Sequence, residues 1–184
     1  MPLLKALSSG WDGSVEPTEP VPALRLSASV AALGQRVSGE TLGPIFGALL
    51  RLRAAHWATR DEGGVLASLH VQAVYREALP GQLRAGLLRL HALRLDDEIV
   101  AVIHGLADPP GRDDCRDYFH LSGFDPQLER VSPGMLLVRQ AVEAVTTRGM
   151  AHADFLRGRE AYKYFWGVED CPTFRRRLAI RGGG

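Results

Sequence analysis

The segment Ile99-Val100-Ala101-Val102-Ile103 constrains this chain more than any other. Five consecutive apolar residues, four of them β-branched, leave no polar face. The spacing predicts a strand buried on both sides. Around it the period stays near two. Leu88-Arg89-Leu90-His91 alternates, and Leu93-Arg94-Leu95 resumes out of phase, which predicts a bulge or bend near Ala92. Asp96-Asp97 is read as a tight turn, and residues 108–114 as a loop of Asp, Pro, Gly and Arg. Arg116–Ser122 alternates again and makes a third strand. These three runs form an antiparallel meander.

Helical periodicity lies on either side. Residues 45–58 place Ile45, Leu49, Leu52 and His56 on one face beside Phe46 and Leu50, with Ser38 offering an N-cap. A second helix is predicted over 65–79, ended by Pro80-Gly81. Ser132-Pro133-Gly134 opens the clearest helix: Met135, Val138, Val142 and Val145 share a face, and Arg148-Gly149 closes it. A helical crossover then makes Ala151–Leu156 a strand parallel to its neighbour. Arg159–Trp166 is read as a short helix and Phe174–Ile180 as a last strand. Residues 1–36 carry four of the 11 prolines and no sustained period, so they are expected to be a flexible tail or linker before a domain over 37–184.

Charge excludes several functions. Twenty-two basic side chains against 21 acidic ones leave a net charge of +1. That argues against a basic nucleic-acid surface and gives no field for a membrane. An apolar fraction of 46% is too high for a disordered chain. No apolar stretch is long enough for a signal peptide or a membrane span, so a cytoplasmic location is expected. Cys115 and Cys171 are too few for a disulfide framework. The six histidines lack metal-ligand spacing, so no metal is expected.

Two segments carry candidate chemistry. In Arg130-Val131-Ser132-Pro133-Gly134-Met135-Leu136 a strand is read as leading through a glycine turn to a helix N-terminus. Free N–H groups and the positive end of the helix dipole suit a phosphate there; simple capping by Ser132-Pro133 accounts for the same residues. The second is Asp154-Phe155-Leu156-Arg157-Gly158 with Tyr162-Lys163-Tyr164. Six of the 13 aromatic residues lie between 155 and 174. Among them sits Lys163, one of only two lysines in a chain with 20 arginines. A compact ammonium suits a developing oxyanion. Tyr162 or Tyr164 suits proton donation to a leaving group, and Asp154 suits an amine. A C-terminal core cluster with one solvated Lys is the plain alternative.

The phrases Tyr118-Phe119-His120-Leu121-Ser122-Gly123-Phe124-Asp125, Ser132-Pro133-Gly134-Met135-Leu136-Leu137 and Asp154-Phe155-Leu156-Arg157-Gly158 with Tyr162-Lys163 occur in order over residues 45–180. Together they resemble the GNAT acyltransferase superfamily. Within it they are similar to the cellulose-biosynthesis-associated acetyltransferase-like branch, related to Fem-type aminoacyltransferases.

The resemblance implies a mixed α/β fold. Its central sheet is mostly antiparallel, with strands splayed between 116–122 and 151–156 and helices at its sides. It implies acyl-CoA as cosubstrate, held in that splay by Phe119, Leu121, Arg130, Ser132, Gly134, Met135 and Leu136. It implies an acyl group, acetyl by expectation, moved to an amine on an amino sugar or envelope precursor. Lys163, Tyr162, Tyr164 and Asp154 are then the catalytic set. Many members of the branch have two tandem lobes, so a homodimer or a second lobe is the expected partner. A non-catalytic binding lobe and a Fem-like aminoacyl transferase are the alternatives, and the balanced charge counts against tRNA as donor.

Overall fold

The computed structural model describes residues 11–25, 39–57, 64–95, 98–109 and 111–180. Six strands form one sheet: β1 (Trp11–Arg25), β2 (Leu88–Leu95), β3 (Glu98–Ala107), β4 (Arg116–Phe124), β5 (His152–Asp154) and β6 (Glu169–Ile180). Their spatial order is β2-β3-β4-β5-β1-β6. Every pair is antiparallel except β4 with β5. The helices are α1 (Gly39–Trp57), α2 (Leu69–Arg84), α3 (Pro133–Thr147) and the single turn α4 (Ala161–Tyr164).

The run at 99–103 explains the layering. Val102 packs with Leu42, Phe46, Leu49 and Leu52 of α1, Leu79 of α2 and Leu121 of β4. Ala101 and Ile103 point the other way, into a second cluster with Leu137, Val138 and Ala141 of α3 and Phe155. One all-apolar strand thus serves two cores, as a period of two on a sheet covered on both faces requires. Buried residues at spacings of three and four fix α1 and α3 on opposite faces.

Several expectations need correction. The second helix does not end at Pro80. It runs to Arg84, with Pro80 inside it. Proline removes one backbone bond, but Leu79 is buried and Leu83 packs on the first core, so burial holds the helix through the break. The first break in register falls between Leu93 and Arg94, and its extra residue is Val100 of β3 rather than a residue of β2 near Ala92.

The tail expected over 1–36 is corrected at residues 11–25. They form β1, which lies between β5 and β6. Its prolines disguise it: Pro17 and Pro22 pair within the β1–β6 ladder, and Pro20 falls where the register shifts, between Thr18 and Val21. The expected cap Ser38 and turn Asp96-Asp97 lie outside the described residues.

Candidate active site

The strand pair β4–β5 is where the sheet opens. Pairing covers only Arg116↔His152, Asp117↔Ala153 and Tyr118↔Asp154. Beyond Tyr118 the two chains diverge, and the wedge between them is the expected splay. Phe119 and Phe155 meet edge to face at its floor, with ring centroids 5.1 Å apart.

A cleft of two joined lobes follows from this opening. The first, of about 190 Å³, is lined at its polar end by Arg53, His120, Glu160, Tyr162 and Lys163. The second, of about 270 Å³, lies between β3, β4 and the start of α3, and is lined by Ala101, Phe124, Ser132, Gly134, Met135 and Leu137 among others. Ile103, Ser122, Val138 and Tyr162 line both. Tyr162 therefore stands at the junction. About two-fifths of its surface is open to solvent, yet the enclosure of its hydroxyl, aided by Glu160, pushes its pKa up to about 12. It keeps its proton at neutral pH.

The backbone at the cleft is unusual. Among the described residues only Ser132 and Leu156 combine a positive φ with a side chain, at 49° and 56°. Both line the cleft. Such conformations cost about 1–3 kcal/mol each and persist only where the surroundings hold them.

β4 also carries a bulge. His104 pairs with Leu121, but Gly105 pairs with Phe119, so His120 is the extra residue. Gly105 makes this possible: a Cβ there would lie 2.6 Å from the Tyr118 carbonyl oxygen. The bulge re-aims His120. Its Nδ1 lies 3.3 Å from the Tyr75 hydroxyl, and its ring packs 5.7 Å from that of His104.

The expected site residues divide. Phe119 and Leu121 line the first lobe, and Ser132, Gly134 and Met135 the second. Leu136 is exposed on α3 outside the cleft lining, and Arg130 is exposed on the short 3-10 segment Pro126–Val131. That segment, rather than a strand, leads into α3.

Ser132 is not the expected side-chain cap. It is left-handed, and its hydroxyl donates to the Glu129 carbonyl at 3.3 Å. Pro133 has no N–H. Those of Met135 and Leu136 both donate to the Ser132 carbonyl, at 2.9 and 3.2 Å. Among the described residues this leaves the Gly134 N–H without a backbone acceptor. A Cβ on Gly134 would press on the Phe124 ring at 3.2 Å. The helix end offers one free donor, fewer than the four of an open N-terminus.

Lys163 is buried at 3% exposure. Its ammonium donates to the carbonyls of Arg157 at 2.7 Å and Gly158 at 3.0 Å, and it pairs with Glu160 at 2.8 Å. Three protons meet three acceptors. As arranged, Lys163 clamps the 157–160 loop and has no proton over for a substrate. Tyr164 points elsewhere, donating to Asp170 at 2.8 Å.

Asp154 is buried but outside the cleft lining. It accepts from the Leu156 N–H at 2.8 Å and lies 3.8 Å from Arg116. Burial raises its pKa, against the pull of that N–H and the neighbouring cations. The expected set thus contributes one cleft hydroxyl, Tyr162, and one loop clamp, Lys163. His120 and Arg53 escaped the sequence reading. The signal for His120 was Gly105 opposite it, legible only with the register in hand.

A sheet with one parallel pair splayed into a cleft, helices on both faces and a bulged strand at the cleft's edge defines an acyltransferase-type α/β fold. Residues 30–164 match the sequence model of the acetyltransferase (GNAT) domain family, and the chain belongs to that family. Its fold is similar to the crystal structure of a GCN5-related N-acetyltransferase from Ralstonia eutropha JMP134. That likeness has a TM-score of 0.53 at 17% identity, covering 86% of this chain and 90% of the other. No curated protein matches the sequence. Among the described residues no group of His, Cys, Asp or Glu is placed to hold a metal ion, and no helix is long and apolar enough to cross a membrane.

Proposed function

We propose that this chain is an acyl-CoA-dependent N-acyltransferase that moves an acyl group, acetyl in the first instance, from the thioester to an amine. The observation that carries the reading is the protonated Tyr162 hydroxyl at the junction of two lobes opened by the β4–β5 splay. The residues present fit a CoA thioester in part. The splay and the apolar lobe suit the pantetheine arm, and the Gly134 N–H with the positive end of α3 suits the diphosphate. The bound thioester supplies an activated acyl carbon and a thiol leaving group.

The chain's own residues do the rest. The bulge takes His120 out of the ladder, so its backbone N–H is available to hold an oxyanion. Tyr162 donates its proton to the departing sulfur. Lys163 holds the 157–160 loop against the cleft, a positioning role. The acceptor is an amine, and an amino sugar or cell-envelope precursor is the class proposed. A homodimer or a second lobe is the proposed partner, and the cytoplasm the proposed location.

Calorimetry with acetyl-CoA and CoA tests the reading. Micromolar binding is expected, with Tyr162→Phe binding as well as wild type but turning over about 10²–10⁴-fold more slowly. One observation favours a second reading, a lobe that binds without catalysing: the α3 N-terminus has a single free donor, and Glu129 lines the lobe beside it. No binding of either ligand selects that reading. Thermal shifts with charged tRNA but not acetyl-CoA select a Fem-like donor.

A further inference from the structure

We infer that His120 is the base that takes the proton from the incoming amine, with Tyr75 as the residue that positions its ring. The inference rests on the acyltransferase reading above. It replaces the carboxylate that the sequence offered, since Asp154 lies outside the cleft lining and is already engaged by Arg116 and the Leu156 N–H.

Geometry comes first. His120 is the extra residue of the β4 bulge, at the mouth of the polar lobe. Phe119 before it packs on the α3 side and Leu121 after it packs on the α1 side. The bulge thus turns the imidazole across the sheet's open edge towards α2. Tyr75 stacks on it, ring centroids 6.1 Å apart, and its hydroxyl reaches Nδ1 at 3.3 Å. One ring nitrogen is therefore held by protein. The other, Nε2, has no hydrogen-bond partner among the described residues, and His120 lines the lobe. With Nδ1–H donating to the Tyr75 oxygen, Nε2 presents a lone pair, the form a base requires.

The surroundings keep that imidazole neutral. Arg53 of α1 lines the same lobe, donating to the Ser122 carbonyl at 2.8 Å. Burial and this guanidinium lower the pKa of His120 below its ordinary 6.5. His104 of β3 is buried, and its burial together with His120 lowers its pKa to about 4, so it adds no charge at neutral pH. Burial raises the pKa of Tyr75, which keeps its proton. From the other wall come Glu160 and Lys163, paired with each other, and the protonated Tyr162. An ammonium entering this lobe meets Arg53 and Arg157, which both line it, and no unpaired carboxylate. The field therefore favours the free amine, the nucleophilic form.

The step balances. The amine nitrogen forms a bond to the thioester carbonyl carbon, and the C–S bond breaks. The amine proton goes to His120 Nε2, and the Tyr162 proton goes to the sulfur. Solvent takes the proton from the imidazolium and returns one to the phenolate.

Two measurements decide the assignment. The first is ¹H–¹⁵N spectroscopy of the full chain with labelled histidine. It is expected to show His120 at pH 7 neutral, protonated on Nδ1, with a pKa below 6.5. Protonation on Nε2 instead overturns the proposal whatever the kinetics show. The second follows thiol release from acetyl-CoA with glucosamine, glycinamide and spermidine between pH 5 and 9, beside calorimetry with acetyl-CoA.

Wild type is expected to lose rate as His120 protonates below pH 6.5. His120→Gln is expected to fall about 10²–10⁴-fold and to lose that acid limb, with unchanged acetyl-CoA affinity. Tyr75→Phe is expected to keep the limb at reduced kcat, with the His120 tautomer mixed in the spectra. A His120→Gln enzyme that binds acetyl-CoA and retains wild-type rate removes the base but leaves the acyltransferase reading intact. A wild type that binds no acetyl-CoA overturns both.

Discussion

Lys163 shows how a residue can be well chosen for the wrong property. Its rarity among the chain's cations and its place in an aromatic phrase mark it out, and a compact ammonium does suit an oxyanion. The structure uses the same compactness differently. Two carbonyls and one carboxylate within 3.0 Å fill its three donor directions. Lys163→Met should therefore act first on stability. Loss of the clamp leaves the Arg157 and Gly158 carbonyls without their buried partner, and a cost of about 1–3 kcal/mol is expected as a lower melting temperature. Lys163→Arg should also destabilise, because a planar fork cannot meet three convergent acceptors. Unchanged melting with lost turnover would restore the oxyanion role.

The same scale separates the two tyrosines. Spacing places Tyr162 and Tyr164 equally near Lys163. A single helical turn sends one into the cleft and the other to Asp170.

At the scale of elements the cleft depends on one register. β3 and β4 pair regularly from Ala101 to His104, slip at Gly105, and resume to Ala107. The slip is what frees His120 and ends the strand's regular face at the splay. Gly105→Ala tests it. The new methyl would meet the Tyr118 carbonyl oxygen at 2.6 Å, and backbone cannot move aside cheaply. A loss of about 1–3 kcal/mol is expected in denaturant unfolding, together with loss of protection at β4 amides in hydrogen exchange. If the variant is as stable as wild type, the register is not as described.

The periodicity of β4 gave no sign of the extra residue, because a bulge is a property of two strands rather than one. The other break, between Leu93 and Arg94, leaves Val100 of β3 as the extra residue, and the broken alternation of β2 near Ala92 points to the neighbourhood but to the wrong strand. The helix ends show the same division. Hydrophobic spacing placed α1 and α3 well. Pro80 misled about α2, since a local break says nothing of the tertiary contacts at Leu79 and Leu83 that bridge it.

At the scale of the whole molecule β1 holds a large responsibility. The sheet order places it between β5 and β6, so β6 reaches the rest of the sheet only through it. It pairs with Glu169–Phe174 and on to Ile180 on one side and with His152–Asp154 on the other. Removal of residues 1–28 should therefore free β6 as well as β1. Hydrogen exchange is expected to rise across 169–180, and the melting temperature to fall, while β2, β3 and β4 stay protected. Protection of β6 that survives the truncation would show that it docks without β1. The family match covers residues 30–164, so β1 and β6 both lie outside the matched region. The other neighbour of β1, β5, ends at Asp154, two residues before the left-handed Leu156 that lines the cleft.

Elements whose evidence is local can be read from the residues alone. Unbroken apolar character at 99–103 dictated a two-faced strand. Spacings of three and four dictated α1 and α3. The crossover through α3 dictated that β5 runs parallel to β4; the splay between them was an implication of the family resemblance. What the cleft presents comes from the packing of distant segments, because each of its features is a relation between them. The β3–β4 register selected His120, the way the α4 turn sits against the cleft selected Tyr162 over Tyr164, and three converging acceptors turned Lys163 from a donor to substrate into a clamp. Periodicity reports which face a side chain takes. Which partner it meets there is set by how two elements align, and no single stretch of sequence carries that information.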